Sequence, residues 1–447
     1  MVESAERTED VEGEGLTAEE LRDAWPVLDS EERLEGFHLL PRDDAEDFFL
    51  ELSSRGQASV LLGMPARERR AWLRLLPPDD VADLCAEFPP DGRGELCSML
   101  DDPTRREVNA LLAYAEDEAG GLMNPRFARA RPEMTVEEAI RYVRRQAQDK
   151  LETIYYTYVL DHEQRLLGVV SFRELLLAPG DKLVRDVMHE DVITVPEEMD
   201  QEAVARIIAQ HDILAVPVVD AERRVKGIVT VDDVVDVVET EATEDIQKIG
   251  GTVALDAPYM QTSVAQMIKK RAGWLMVLLI GQMFTISALS LYQEQFAAAI
   301  VLVTFLPMII SSGGNSGSQA TTLVIRAMAL GQVRLRDSWR IVRRELVSGL
   351  FLGGLLALLG LARIVVGEWL AHEYGSFYLD LGLAVGISLL AVVMLGTLTG
   401  ALLPLLLRAL RFDPASASAP MVATMLDLSG VLIYFNVARV VLAGKLL

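Results

Sequence analysis

The 447-residue chain carries 66 Asp and Glu against 42 Lys and Arg, a formal net charge of −24. That balance excludes a nucleic-acid partner, because phosphate backbones recruit basic surfaces and repel acidic ones, and it suits cation binding. Acidity alone would equally keep a soluble region dispersed, so position has to decide. The first 270 residues are dense in Asp, Glu and Arg, whereas the rest is dominated by Leu, Val, Ala, Ile and Gly, and the length accommodates about two to four domains.

Residues 1–15 (MVESAERTEDVEGEG) are polar and acidic, with neither a basic n-region nor an apolar h-region. No cleavable signal is expected there, and the segment reads as disordered. The soluble half is therefore expected to begin in the cytoplasm. Over residues 16–123 a repeat emerges: Leu28, Leu40, Leu52, Met64, Leu76, Phe88, Leu100 and Leu112 recur every 12 residues, and Pro41, Pro65, Pro77 and Pro89 follow four of them. Proline fixes a turn and opens the next helix, and the acidic residues of PPDDVADL suit a helix N-terminus. This predicts an all-α stack of short helices. Cys85 and Cys97, the only cysteines, have apolar neighbours and neither a metal-binding spacing nor a disulfide framework, so they read as core thiols.

Residues 124–186 and 187–246 are two copies of one α/β pattern. The first carries TVEEAIRYVRRQ, TIYYTYVLD, LLGVVSF and RELLL; the second carries DQEAVARIIAQHD, LAVPVVD, VKGIVTV and DDVVDVVE. Short β-branched runs bounded by turns predict strands, and the EAIRYV and AVARII spacings predict amphipathic helices. On the helix that follows the second unit, Asp233, Asp236, Glu241 and Glu244 fall in an arc of roughly 140°, where like charges repel. Such a stripe calls for counter-ions, which divalent cations supply.

Over residues 271–447 five stretches are long enough to cross about 30 Å of hydrocarbon: Gly273–Tyr292, Ala297–Leu330, Leu346–Leu370, Leu379–Leu407 and Ala417–Ala443. Basic residues cluster at Arg334, Arg336, Arg340, Arg343 and Arg344 and again at Arg408 and Arg411. These loops are expected on the cytoplasmic side, which leaves the C-terminus outside. Arg439 and Lys445 weigh mildly against that orientation.

The second stretch contains PMIISSGGNSGSQATT, a polar, Gly-rich run at membrane depth. Broken backbone is tolerated there only where it is buried in protein or lines a wet cavity. Gly313, Gly314 and Gly317 would let backbone approach an ion or a neighbouring helix, and Asn315, Ser316, Ser318 and Gln319 add oxygens. Helix packing through small residues is the competing account; the coincidence of Pro307 with the glycines and Asn315 favours a pore. The last stretch places Asp427 far from either end among apolar residues. A carboxylate at that depth marks an ion or proton path by default; a structural Asp bonding a neighbouring helix is the competing account. Oxygen ligands without His or Cys select hard cations, and one carboxylate per chain suits magnesium, which keeps much of its hydration water. Glu345, beside Arg343 and Arg344, is a weaker candidate.

The paired α/β units resemble a CBS-domain pair. Together with GGNSGSQATTLVIRAMALG and PMVATMLDLSGVLIYF, the chain resembles the MgtE family of magnesium channels over nearly its whole length. The resemblance implies a homodimer in a bacterial inner membrane, with Mg2+ held in a pore by Asp427 and backbone oxygen of Ala423, and with Asn315 at its narrow part. It also implies a gate, in which magnesium bridges Asp233, Asp236, Glu241, Glu244 and Asp245 with Asp200, Glu202 and Asp212. Thr230 followed by Asp233 resembles a CBS nucleotide pattern, so ATP is a further candidate ligand; the first unit has Ser171 and Glu174 instead.

The resemblance further implies a connecting helix over 240–270, so the expectation is a multidomain membrane protein made of an all-α repeat module, an α/β CBS pair, that connecting helix and an all-α bundle of five transmembrane helices. Its expected activity is passive magnesium entry, closed by cytoplasmic magnesium. Ion-coupled divalent-cation transport or export, for instance sodium-linked, is the alternative. No nucleophile, base and orienting group converge in the readable motifs, so an enzyme is not expected.

Overall fold

A computed structural model describes residues 16–149, 151–255, 257–293 and 300–443. The segment 1–15 read as disordered, and Lys445, lie outside the described residues. The chain divides into two compact units, 1–241 and 242–447.

The first unit opens with short helices: α1 Ala18–Ala24, α2 Ser30–Leu39, α3 Arg42–Glu51, α4 Ser54–Gly63, α5 Ala66–Leu73, α6 Pro78–Glu87, α7 Pro90–Ser98, α8 Asp102–Leu111 and α9 Ala119–Leu122. From α2 to α8 each helix starts 12 residues after the last. Pro41, Pro65, Pro77 and Pro89 occupy N-cap positions, where a missing N–H costs nothing and a fixed φ starts the turn. Leu40, Met64, Leu76, Phe88 and Leu100 are buried, so each repeat closes by folding one apolar residue over the core. Leu112 is exposed, and the register fades there. Phe37, Phe48, Phe49 and Trp72 fill the centre in mostly tilted and edge-on contacts, the geometry that ring quadrupoles prefer.

Two βαββα copies follow. The first comprises β1 Arg129–Ala130, α10 Val136–Gln146, β2 Tyr156–Leu160, β3 Leu166–Ser171 and α11 Phe172–Leu177; the second comprises β4 Val195–Pro196, α12 Gln201–His211, β5 Ala215–Val219, β6 Val225–Thr230 and α13 Val231–Ile249. Each makes a three-stranded sheet with one parallel and one antiparallel pair. The short parallel strands β1 and β4 are additions to the expected pattern; two residues are too few to leave a periodicity in the sequence. The duplication extends to defects, since the antiparallel registers slip at Val159/Leu160 and at Val218/Val219.

The expected single connecting helix over 240–270 is not formed. Helix α13 ends at Ile249, Gly251 takes φ +77°, and α14 Val264–Ser290 starts behind a Ser263–Gln266 capping box. Gly250-Gly251 and Pro258 break the helix that the family resemblance implied.

The second unit continues with α15 Val301–Ala329, α16 Ser338–Ala371, α17 Tyr378–Ala409 and α18 Ala419–Val441. Among the described residues four helical stretches are long and apolar enough to cross a membrane: Val264–Ser290, Leu335–Ala371, Gly375–Ala409 and Ala419–Val441. Helix α15 is not one of them, because it carries the polar run.

The expected break in that run is also absent. Helix α15 is continuous across Pro307 and the glycines. A Cβ on Gly400 would lie 2.1 Å from the Gly317 carbonyl oxygen, and one on Gly396 would lie 2.5 Å from that of Gly313. The glycines therefore let two helical backbones touch, and Thr321 Oγ1 donates to the Gly400 carbonyl at 2.9 Å to fasten the seam. For Gly313 and Gly317, small-residue packing is the function the structure displays.

Candidate functional site

Asp427 lies on α18, half-buried, and accepts a hydrogen bond from the Gln282 side-chain amide of α14. The amide donor orients the carboxylate. One turn along α14, Thr285 Oγ1 is buried without a hydrogen-bond partner among the described residues, a second polar atom at this depth. A Cβ on Gly314 would lie 3.5 Å from that of Ala423, so Gly314 and Ala423 meet across α15 and α18, one turn from Asp427. Asn315 is exposed within the chain and donates to Ser311 Oγ at 3.4 Å. Gly317 stands apart, packed against Leu426, Val422 and Gly396. Glu345 is half-buried on α16, with its carbonyl accepting from Thr397 Oγ1 at 3.3 Å.

The acidic residues expected to bind regulatory magnesium are not gathered into one ligand set. Asp200 is the N-cap of α12 and accepts from the Ala203 N–H at 3.3 Å. Glu202 follows it in the first turn, 3.8 Å from Arg206. Asp212 ends the helix in the left-handed region at φ 51°, a role its short polar side chain suits. Glu241 accepts from Gln201 at 2.7 Å, which brings that part of α13 beside the start of α12. Glu244 pairs with Lys248, and Asp245 is half-buried on the same helix. Among the described residues no three His, Cys, Asp or Glu side chains converge as a ready metal cage.

A denser acidic group forms elsewhere in the first unit, and sequence reading named only Asp233 and Asp236 of it. Asp79, Asp80 and Asp83 on α6 act electrostatically on Asp232, Asp233 and Asp236 in the first turns of α13, with Glu152 among them. The Asn124 amide, fully buried, donates to Asp79 at 3.0 Å and to Glu152 at 2.6 Å. Burial first, then the neighbouring carboxylates, lift Asp79 well above the usual range. The same causes push Asp80 up to about 6 and Asp83 and Glu152 up to about 7. Asp233 also rises to about 6 through burial, although Thr230 Oγ1 donates to it at 2.7 Å. Carboxylates so desolvated and so close favour a proton or a cation between them. Among the described residues, the leading charged neighbours of these five are other carboxylates. The one available signal was PPDDVAD, read only as a helix start.

The equivalent position of the first unit is occupied differently. Ser171 Oγ donates to Glu174 at 2.7 Å, as Thr230 does to Asp233, but Glu174 also binds His189 at 2.7 Å. Burial would raise Glu174, yet the hydrogen bonds from His189 and Ser171 prevail and bring it down to about 2.

In the second unit Lys248 pairs with Asp413 at 2.6 Å, and Ile249 packs against Ile325, Ala415 and Ala417. The end of α13 is thereby fastened to the loop before α18.

A helical repeat domain, a duplicated βαββα pair and a bundle of apolar helices with a carboxylate inside the last of them define a multidomain membrane transporter. Three family models match in chain order: the MgtE intracellular N domain over 16–117, CBS domains over 119–181 and 184–240, and the MgtE divalent cation transporter domain over 306–437. The magnesium transporter MgtE of Thermus thermophilus is 40% identical over 96% of this chain and 94% of its own length, and that of Bacillus subtilis is 32% identical over 89% and 85%. A solved cytosolic domain of the Mg2+ channel MgtE in complex with ATP is 43% identical over 49% of this chain and 90% of its own, with a TM-score of 0.46. This chain belongs to the MgtE family.

Proposed function

We propose that this chain carries magnesium into the cell across a bacterial inner membrane, as a homodimer of five-span protomers with its helical and CBS domains in the cytoplasm. The observation that carries the reading is Asp427, a carboxylate within the last apolar helix whose hydrogen-bond partner is the neutral amide of Gln282. An unneutralised charge at that depth is stabilised by a passing cation and its water. Asn315 is then near the narrow part, and the Gly314–Ala423 approach leaves room for backbone oxygen beside the ion. One carboxylate per protomer, with amide and backbone oxygens, suits a cation that retains hydration water.

Closure by cytoplasmic magnesium is the second part of the proposal. Asp79, Asp80, Asp83, Glu152, Asp232, Asp233 and Asp236 repel one another across α6 and α13, with α12 and Glu241 nearby. Hydrated magnesium relieves that repulsion through its water shell, consistent with the lack of a ready cage. Cation binding thus favours the arrangement that brings the carboxylates together, and α13 carries the change toward the bundle. Adenine nucleotide at Thr230 and Asp233 belongs to the same proposal. A triphosphate beside these carboxylates would itself need a divalent cation.

The test is magnesium uptake into proteoliposomes holding the full chain, without a sodium gradient. Uptake is expected, and Asp427→Ala is expected to abolish it while the protein remains folded; full uptake by that variant would remove Asp427 from the path.

A further inference from the structure

Cys85 and Cys97 are each the eighth residue of their helix, α6 and α7, so the 12-residue period brings them to equivalent positions on neighbouring helices. Their sulfurs lie 3.7 Å apart as free thiols. From this geometry we propose that Cys85 and Cys97 form an oxidisable dithiol, closed to an intramolecular disulfide by hydroperoxides and reopened by thiols. The bond requires an S–S distance of about 2.05 Å, which the two side chains approach by rotation about Cα–Cβ.

The surroundings divide the labour. Cys85 is buried and Cys97 is half-exposed. Burial, with Cys97 beside it, pushes the Cys85 thiol up to about 12, so Cys97 meets the oxidant and Cys85 resolves. Arg93, one turn before Cys97 on α7, works against that rise at Cys85. It is held by the carbonyls of Phe88 and Ala86, which accept from its Nε at 3.0 Å and its Nη2 at 2.6 Å. A cation fixed beside a thiol pair is the usual means of raising thiolate character.

In the first step the Cys97 thiolate attacks a peroxide oxygen and the O–O bond breaks; the departing hydroxide or alkoxide takes a proton and leaves Cys97 as sulfenic acid. In the second, the Cys85 sulfur gives up its proton and attacks the Cys97 sulfur, and hydroxide leaves as water. Two thiols and one hydrogen peroxide become one disulfide and two waters, with two electrons passing from sulfur to oxygen. An external thiol later reverses the bond by exchange. Helix α6 is also the element that bears Asp79, Asp80 and Asp83, so oxidation acts on a helix of the proposed regulatory site, although the dithiol itself stands independently of that reading.

The experiment exposes the purified full chain in detergent to graded hydrogen peroxide, then counts thiols after denaturation and maps peptides without reductant. Both thiols should vanish in step, a Cys85–Cys97 peptide lighter by two hydrogens should appear, and dithiothreitol should restore both. Cys85→Ala should trap Cys97 as a sulfenic acid captured by dimedone; Cys85→Ser provides the same reading should the alanine variant fold poorly. Independent loss of the two thiols, a Cys97–Cys97 link between chains, or no reaction at peroxide levels that oxidise the urea-unfolded chain would each overturn the proposal.

Discussion

Lys248 and Asp413 meet at 2.6 Å although 165 positions separate them, joining the last turn of α13 to the loop before the final apolar helix. Glu244 shares the same ammonium. The hydrogen bonds to Asp413 and Glu244 overcome the effect of burial and hold Lys248 charged well past its usual range. Both sides of the pair are partly exposed, which keeps its worth to about 0.5–1 kcal/mol. Lys248→Met should raise amide exchange over 244–255 about two- to fivefold, and the swap Lys248→Asp with Asp413→Lys should restore it. Exchange that is unchanged in the single variant would show that Ile249 packing alone holds the helix end.

Removing the amide from Gln282 should weaken transport without abolishing it. Gln282→Ala leaves the Asp427 charge intact but frees its rotamer, which costs about 1–2 kcal/mol of orientation and therefore about tenfold in uptake rate. Gln282→Glu places a second carboxylate against the first and should impair uptake further at neutral pH. Proteoliposome flux measures both, and equal flux in wild type and Gln282→Ala would make the contact incidental.

Neutralising the acidic group should stabilise the cation-free protein. Asp80→Asn or Asp83→Asn removes a desolvated charge from a repelling set, worth on the order of 1–2 kcal/mol after solvent screening. Melting in EDTA should move upward, and the further rise on adding magnesium should shrink. If magnesium stabilises the variants as much as the parent, these carboxylates do not take part in binding it.

The same carboxylates set a pH dependence whose sign is fixed. Their folded values, about 6 for Asp80 and Asp233 and about 7 for Asp83 and Glu152, lie above those of an unfolded chain, near 4. The folded state then binds more protons between those limits, so stability in EDTA is greatest at the acid end and falls as pH rises from about 4 to about 7. Magnesium competes with those protons, and its apparent affinity should climb across the same window. A flat profile in chelator would contradict the burial of the group.

Much of this was legible in the sequence, for physical reasons. The 12-residue helix period and the duplicated α/β units are local patterns, written in every copy. Asp427 is conspicuous because charge is costly in hydrocarbon. What the sequence hid was pairing at long range. Asn124 linking Asp79 to Glu152, and Gln282 reaching Asp427 over 145 positions, have no spacing rule. The polar run of α15 misled because glycines that break a helix and glycines that let two helices touch are spelled alike; only the position of Gly396 and Gly400 on the partner helix separates the cases. The connecting helix was carried over from the family resemblance, and the Gly250-Gly251 stop ends it at Ile249.

Gly400→Ala gives that seam a direct test. Alanine ordinarily favours a helix over glycine by about 1 kcal/mol, but here the added methyl would sit 2.1 Å from the Gly317 oxygen. The clash wins, and the variant should lose thermal stability in detergent, whereas Gly354→Ala, with open space around it, should be neutral or slightly stabilising.

Where α15 and α17 meet at Gly313, Gly317, Gly396 and Gly400, the seam has mechanical meaning. Two helices in backbone contact have no intervening side chains to switch rotamer, so that pair behaves as a stator, moving as one piece or not at all. On the proposed ion path past Asp427, the play needed to admit a cation falls to the other side, where α14 rests against α18 and Gln282 donates to Asp427.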